Sequence, residues 1–278
     1  MPIIFTVNLS GGDSLHEPGQ MRCGLKSKLG CGTRSARLPV VSAPDVHIWF
    51  RPTDALDAAA IDAAVSVLSD EERARYRRFH FPRDARDYAA AHALLRHTLS
   101  GLGGRAPDCW RFDAPANGKP FLMHEDAFRA EFSLSHTHGM VACAVTTAAD
   151  ARVGVDVECI DRGVDAAGLA ARFFAPAEAA HLAQLDDEAR RDRFFDLWTL
   201  KEALVKALGV SMAMSLSSLA FTIGPGGSVS LNAPADINAP DWQFGLFTPA
   251  PRYRLAVAVR RSSVRDAQLI LRSAADVP

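Results

Sequence analysis

The sequence predicts an α+β protein made of two related α+β halves that join near residue 152. Short segments with alternating or continuous apolar residues, which favour strands, are interspersed with longer segments whose apolar residues recur at helical spacing. An aromatic and basic segment followed by an alanine-rich helix occurs twice, at 78–95 and at 193–208. With 278 residues, 48% of them hydrophobic, the chain can bury one large core or two smaller ones.

Composition excludes several classes of protein. The formal net charge of −1 is not that of a nonspecific nucleic-acid binder, so no nucleic-acid partner is expected. No apolar run approaches the roughly 20 residues that cross a bilayer, and Ile3–Val7 is too short for a secretory signal. The five cysteines are scattered without paired spacing, which favours reduced and mostly buried thiols. We therefore expect a cytoplasmic protein without a membrane partner.

The N-terminal half is expected to start after an extension. Residues 1–44 are rich in Gly and Ser and lack periodicity, so we expect a disordered extension there. Ser69 and Glu72 have the spacing of a capping box at the start of an arginine-rich helix. The first predicted element is a strand at 46–50. It is followed by a helix near 57–68, a second helix that begins after Ser69 and a third at 84–99. Two strands, near 131–134 and 140–146, complete this half.

The C-terminal half is predicted to begin with a strand at 153–158. Gly209 suits the position that follows the end of a helix, because a left-handed conformation is common there. The remaining elements predicted are a helical region at 166–185, a helix at 192–208 and a strand at 254–260. The expected organisation is therefore an extension at 1–44, an N-terminal half at 45–152 and a C-terminal half at 153–278.

Two acidic side chains share one face of the strand at 153–158. Because strand side chains alternate, Gly154, Asp156 and Glu158 point to the face opposite Val155 and Val157. The two carboxylates are then roughly 6.5–7 Å apart, close enough to reach one ion. Gly154 leaves room on that face for another group to approach.

The helix at 192–208 supplies a third carboxylate and two lysines. Trp198, Glu202 and Lys206 lie on one face at a spacing of four residues, and Lys201 is next to Glu202. Leucines on an adjoining stripe are expected to attach the helix to the core, and Trp198 is expected to pack there too. Carboxylates without His or Cys suit Mg²⁺, which keeps positions for phosphate oxygens, and the lysines can neutralise phosphate charge.

Each motif also has a plain structural interpretation. An acidic pair on a strand is commonly a solvated edge, and Glu202 with Lys206 could be a surface ion pair contributing about 0.2–0.5 kcal/mol. Together, however, the strand and the helix indicate a site for phosphoryl transfer.

The motifs and their order resemble the surfactin-type 4'-phosphopantetheinyl transferases, from about residue 46 to the end of the chain. The resemblance is carried by Asn117-Gly118-Lys119-Pro120, Phe132-Ser133-Leu134-Ser135-His136, Gly154-Val155-Asp156-Val157-Glu158 and the segment Trp198–Lys206. It implies a monomer of two halves related by a pseudo-twofold axis, with coenzyme A in the cleft between them. The implied reaction moves the 4'-phosphopantetheine arm of coenzyme A to a serine of an apo acyl or peptidyl carrier protein, with Mg²⁺.

The resemblance also implies residue roles. Mg²⁺ would be bound by Asp156, Glu158 and Glu202. Glu202 would act as general base, while Lys206 and His136 would hold the phosphates and Lys206 would assist the leaving oxygen. The positions that match coenzyme A contacts are Arg75, Lys119, Ser135, His136, Lys201 and Lys206. Glu72 departs from the pattern, because some relatives have a basic residue there.

Two other functions fit the same motifs. A Mg²⁺-dependent phosphohydrolase acting on coenzyme A-like nucleotides would need no acceptor protein. A non-catalytic module would bind coenzyme A or a carrier protein, but such a module has no need to keep all three carboxylates.

Overall fold

The computed structural model describes residues 45–115, 118–123, 128–210, 215–260 and 266–274. The expected extension at 1–44 and Asn117 lie outside these ranges. The helices are α1 (Ala58–Ser66), α2 (Asp70–Tyr76), α3 (Pro82–Gly103), α4 (Ala166–Phe173), α5 (Pro176–Ala183) and α6 (Asp187–Leu208). The strands are β1 (Val46–Pro52), β2 (Phe112–Asp113), β3 (Phe121–Leu122), β4 (Glu131–Thr137), β5 (Met140–Thr146), β6 (Arg152–Cys159), β7 (Ala220–Ile223), β8 (Val229–Asn232), β9 (Trp242–Phe247), β10 (Tyr253–Arg260) and β11 (Leu269–Ser273).

Two main sheets form the centre of the fold, as the α+β prediction requires. The first sheet has the strand order β11-β1-β5-β4 and the second has the order β6-β10-β9. Strand β11 pairs in parallel with β1, so residues 269–273 belong to the sheet of the N-terminal half. The predicted division into halves at 45–152 and 153–278 stays a prediction. The pseudo-twofold relation between the halves stays a prediction.

The layers follow the alternation of strand side chains. On β5, Val141 and Cys143 pack against α3, whereas Ala142 and Ala144 face the second sheet. The inner faces of the two sheets thus share one apolar core, to which β6 contributes Val155. Helix α6 covers the outer face of the second sheet. The order of layers is α3, first sheet, second sheet and α6.

Local sequence signals determine where the main helices begin and end. The predicted capping box is confirmed: Ser69 Oγ accepts from the Glu72 backbone, and Glu72 Oε2 accepts from the Ser69 backbone at 2.8 Å. Helix α6 starts earlier than predicted, because Asp186 caps its first turn. It ends where Gly209 adopts a left-handed φ of 68°, as predicted.

The described ranges also show the state of three cysteines and the character of the helices. Of the cysteines that the structure describes, Cys109, Cys143 and Cys159 are free thiols, and the last two are buried. No helix in the described ranges has the length and apolar character needed to cross a bilayer.

The two sheets meet along a line of three hydroxyl groups, which we call the hydroxyl seam (Ser133, Ser135 and Thr137 of β4). These hydroxyl oxygens accept hydrogen bonds from the backbone N–H groups of Val155 at 3.0 Å, Val157 at 3.2 Å and Cys159 at 3.3 Å. Strand β6 would otherwise present these buried N–H groups without partners, which is costly. The seam therefore joins β4 to β6 without a backbone ladder.

Gly154 permits the close approach of α6 to β6. A Cβ atom at this position would overlap the carbonyl oxygen of Ala203 and lie 2.6 Å from the amide nitrogen of Ala207. The space that the sequence suggested on this face of the strand is filled by the backbone of α6. Only glycine allows the helix to lie this near the strand.

We expect Gly154→Ala to lower the free energy of unfolding by about 1–3 kcal/mol, because the added methyl group forces α6 away from β6. Urea denaturation measures the change. Gly163→Ala is the matched control, since a Cβ atom there meets nothing within 4 Å. Equal stability of the two variants would contradict this account of the packing.

Candidate active site

Asp156, Lys206 and Ser135 form the centre of the site. Lys206 Nζ lies 2.7 Å from Asp156 Oδ1 and donates to Ser135 Oγ at 3.0 Å. Ser135 in turn donates to the same Asp156 oxygen at 2.8 Å. The strand, the helix and the hydroxyl seam therefore meet at one carboxylate, as the sequence predicted for the first two.

Two carboxylate oxygens in this region are buried and have no hydrogen-bond partner among the described residues. They are Asp156 Oδ2 and Glu202 Oε1. Burial, and then the charge of Asp156, raises the pKa of Glu202 to about 7, against the opposing charge of Lys206. Unpaired buried oxygens of this kind are unfavourable unless a ligand completes the site.

Glu158 lies beside the same group but has other partners. Its Oε2 accepts from Thr137 Oγ1 at 3.2 Å and lies 2.8 Å from Arg162 Nη2. Burial, and then the charge of Asp156, raises its pKa to about 7, against Arg162 and Lys206. The charge of Asp156 thus acts on both Glu158 and Glu202, which places all three carboxylates in one neighbourhood.

The predicted metal site was tested against this arrangement. In the described ranges, no group of three or more His, Cys, Asp or Glu side chains is positioned to hold a metal ion with the side chains as they stand. The donor chemistry nevertheless fits a hard cation: all three side chains offer oxygen, and two of those oxygens are unpaired. The three-ligand assignment stays a prediction.

His136 follows Ser135 on β4 and is close to several basic groups. Burial, together with the charges of Lys206, His92 and Arg75, lowers its pKa to about 4. The ring is therefore neutral at pH 7 and can offer one N–H donor to a phosphate. Arg75 lies over the ring of Tyr88, with its Cζ 5.6 Å from the ring centroid. The charge of Arg75 is near enough to act on His136.

Lys119 belongs to an internal ion pair. Its Nζ contacts Glu131 and donates to the carbonyl oxygen of Val153, at the start of β6. Burial lowers its pKa, and Glu131 opposes the shift. The structure therefore shows Lys119 connecting the loop before β3 to both β4 and β6, beside whatever contact it makes with a ligand.

Lys201 does not join the site, in contrast to the sequence-based expectation. Its ammonium group is fully buried, 2.8 Å from Glu178 Oε2, and donates to the carbonyl oxygens of Leu216 at 3.0 Å and of Leu219. One residue on a helix corresponds to a rotation of about 100°, so a residue next to Glu202 need not share its face. The structure therefore shows Lys201 holding α6 against α5, and its assignment to coenzyme A stays a prediction.

Trp198 packs in the core, as expected. Its ring stacks near Phe194 at 5.7 Å and near Phe174 at 6.2 Å between centroids. It shares a helix face with Glu202 in the sequence, but it anchors the first part of α6.

Glu72, the departure from the family pattern, has a structural role. Besides the capping box, it binds Arg96 Nη2 at 2.7 Å and His92 Nδ1 at 2.9 Å. Its pKa falls to about 2: burial raises it, but hydrogen bonding and charge from His92, with Arg96 and Ser69, outweigh burial. Glu72 therefore attaches α2, which carries Arg75, to α3.

Sequence reasoning missed Thr137, Arg162 and His92. The alternation of hydroxyl residues at 133, 135 and 137 was a usable signal for the first, since all three share one face of β4. Arg162 and His92 gave no such signal, because their roles depend on contacts formed in three dimensions.

An α+β fold that gathers three carboxylates, a lysine and a neutral histidine defines a class of protein: an enzyme whose site suits phosphate transfer. Comparison with known proteins identifies the family. A family model described as the 4'-phosphopantetheinyl transferase superfamily matches residues 152–258, and one described as 4'-phosphopantetheinyl transferase, N-terminal, matches residues 55–148. The chain belongs to the 4'-phosphopantetheinyl transferase family.

Named relatives agree. The chain is 35% identical to the 4'-phosphopantetheinyl transferase HetI of Nostoc sp. over 77% of this chain and 87% of that protein. It is 32% identical to the transferase psf-1 of Bacillus pumilus, over 79% and 91% of the two chains. A solved holo-(acyl-carrier-protein) synthase from Bacillus anthracis, in complex with CoA, is similar over 40% of this chain and 96% of that chain, with 16% identity and a TM-score of 0.35.

We expect Lys201→Met to lower the free energy of unfolding by about 3–5 kcal/mol, because it leaves Glu178 buried without its partner. Urea denaturation of both single variants and of Lys201→Met with Glu178→Gln measures the coupling. The double variant should recover part of the loss. A stable Lys201→Met protein with a raised KM for coenzyme A would instead support the predicted contact with coenzyme A.

The raised pKa of Glu202 determines how the free energy of unfolding changes with pH. Between the unfolded pKa of 4.5 and the folded pKa of about 7, the folded protein binds more protons than the unfolded chain. Its free energy of unfolding therefore decreases as pH rises through this window. Glu202→Gln removes this contribution, so its stability relative to the unsubstituted protein should increase between about pH 5 and 7.

Denaturation in metal-free buffer at several pH values measures this difference. Glu188→Gln, which makes the same substitution on the exposed first turn of the same helix, is the matched control. A stability difference for Glu202→Gln that changes with pH no more than that of the control would contradict the assigned environment.

Proposed function

We propose that this protein transfers the 4'-phosphopantetheine arm of coenzyme A to a serine of an apo acyl or peptidyl carrier protein, with Mg²⁺ as cofactor. The observation that carries the proposal is the cluster at Asp156, where Lys206 and Ser135 converge beside two buried unpaired carboxylate oxygens. Such a cluster provides positive charge for phosphate and oxygen ligands for a cation in one place.

The reaction is a displacement at phosphorus. The serine oxygen of the carrier protein bonds to the β-phosphorus of coenzyme A, and the bond from that phosphorus to the bridging oxygen of the pyrophosphate breaks. The electron pair leaves with adenosine 3',5'-bisphosphate, and the serine proton passes to a base. Phosphoryl transfers of this kind depend mainly on alignment and charge neutralisation.

Asp156, Glu158 and Glu202 would hold the Mg²⁺, and the ion would supply charge neutralisation at the pyrophosphate oxygens. Glu202 is the proposed general base, directly or through water. A carboxylate that burial has made more basic is suited to accept a proton near neutral pH. Binding of the cation would reduce this basicity, which favours the route through water.

Lys206 and His136 would hold the phosphates. Lys206 is about one quarter exposed, so its ammonium group can reach a ligand from its present place on Asp156. His136, neutral at pH 7, would contribute a hydrogen bond rather than a charge. Arg75 and Lys119 are the remaining proposed contacts for coenzyme A, and Ser135 would act mainly by holding Asp156.

The wider setting of the reaction is also a proposal. A near-neutral chain with scattered cysteines fits a cytoplasmic monomer, and carrier proteins of secondary metabolism are candidate partners.

The test incubates purified protein with coenzyme A, Mg²⁺ and a panel of apo carrier proteins. Intact-protein mass spectrometry should show addition of a phosphopantetheine group to a carrier. Free phosphopantetheine formed without a carrier would favour a phosphohydrolase, and no product at all would favour a non-catalytic module.

In the same assay, Asp156→Asn should lower kcat/KM by about 100-fold or more, equivalent to about 2.7 kcal/mol of lost transition-state stabilisation. The control is Asp62→Asn, on the exposed side of α1. Full activity of a folded Asp156→Asn protein would exclude the proposed role of this carboxylate.

A further inference from the structure

The turn after β6 brings an arginine against one of the proposed metal ligands. Arg162 Nη2 lies 2.8 Å from Glu158 Oε2, and Thr137 Oγ1 donates to the same oxygen at 3.2 Å. No hydrogen bond from a described residue reaches the other oxygen, Oε1. The two oxygens of this carboxylate thus have different environments.

The backbone of the turn fixes where Arg162 can reach. The amide of Ile160 donates to the backbone carbonyl oxygen of Arg252 at 2.8 Å. The amide of Val164 donates to the carbonyl oxygen of Arg162 at 2.8 Å. Backbone hydrogen bonds before and after Arg162 therefore fix the position of its backbone, independently of its side-chain contacts.

The guanidinium group of Arg162 also lies against an aromatic ring of α6. Its Cζ lies 5.9 Å from the centroid of the Phe195 ring on α6, and its Nε is buried without a hydrogen-bond partner among the described residues. The contact with Glu158 is thus the main polar interaction of this side chain. The turn and α6 therefore together place the guanidinium group of Arg162 beside the carboxylate of Glu158.

We propose that Arg162 is a positioning residue which, together with Thr137, fixes Glu158 through Oε2 and leaves Oε1 as the oxygen for a divalent cation. Carboxylates that bind metal ions are commonly oriented by hydrogen bonds to their second oxygen. This inference rests on the proposed function, because it requires the proposed Mg²⁺ site. It adds to that site a residue that is not one of the proposed metal ligands.

Competition with the cation is the alternative role for Arg162, and it predicts the opposite change in Mg²⁺ affinity. An arginine that competes with the cation for Glu158 would weaken cation binding, so its removal would strengthen it. The geometry favours positioning, because both contacts use Oε2 and neither uses Oε1.

The test measures Mg²⁺ binding rather than catalysis. Isothermal titration of Mg²⁺ into the full chain saturated with coenzyme A gives the Kd of each variant. Arg162→Met should weaken binding by about 10–100-fold, the usual effect of removing a group that orients a metal ligand. Arg162→Lys, which keeps the charge and much of the reach, should recover most of the affinity.

Arg252→Met is the matched control. It removes the arginine that pairs with Asp161 of this turn. The Arg252 side chain does not pair with Glu158. The Kd of this variant for Mg²⁺ should remain that of the unsubstituted protein, and thermal denaturation establishes that each variant is folded.

The outcomes separate this inference from the proposed function. Unchanged or tighter binding by Arg162→Met, with normal binding by the unsubstituted protein, overturns the positioning role alone. Equal weakening in Arg162→Met and Arg252→Met shows a general effect of the turn and also overturns it. Absence of Mg²⁺ binding by the unsubstituted protein overturns the proposed metal site and this inference with it.

Discussion

The hydroxyl seam is the interaction on which both the fold and the site depend. Its oxygens accept from the backbone of β6, which joins the two sheets without a continuous ladder. The same groups donate from Ser135 to Asp156 and from Thr137 to Glu158. A hydroxyl group can accept and donate at once, so one row of short side chains holds the sheets together and orients two carboxylates. An apolar side chain of similar size would fill the space but serve neither purpose.

Helix α6 completes the site because it is attached at both of its faces. Gly154 lets its backbone lie against β6, and Lys201 holds its other side through the buried pair with Glu178. Glu202 and Lys206, one turn apart, then share the face towards Asp156. Adjacent charged residues on this helix therefore have unlike functions, and helix geometry rather than residue type separates them.

Signals within a few residues of each other predicted much of this structure. The capping box at Ser69, the alternation in β6 and the glycine after α6 are local patterns, and the structure has all three. The pairing of β11 with β1 joins residues 269–273 to the start of the chain, and no local pattern reports such a contact. The face chosen by Lys201 likewise depends on where Glu178 lies after folding. Local periodicity thus gave the elements and the acidic cluster, whereas tertiary packing decided the sheet boundary and the partners of the charges.

The charges in the site are incompletely balanced, and this has a consequence for ligands. Asp156 has Lys206 and Glu158 has Arg162, but Glu202 has no ion pair among the described residues. Burial and mutual repulsion raise the pKa of both glutamates to about 7, so near neutral pH part of the population holds a proton in place of full negative charge. A cation that binds these carboxylates must displace such protons, because only the ionised forms are good ligands. The excess of negative charge that is unfavourable for the protein alone would therefore be the source of affinity for a cation at the proposed metal site, and that affinity would increase as pH rises through neutrality.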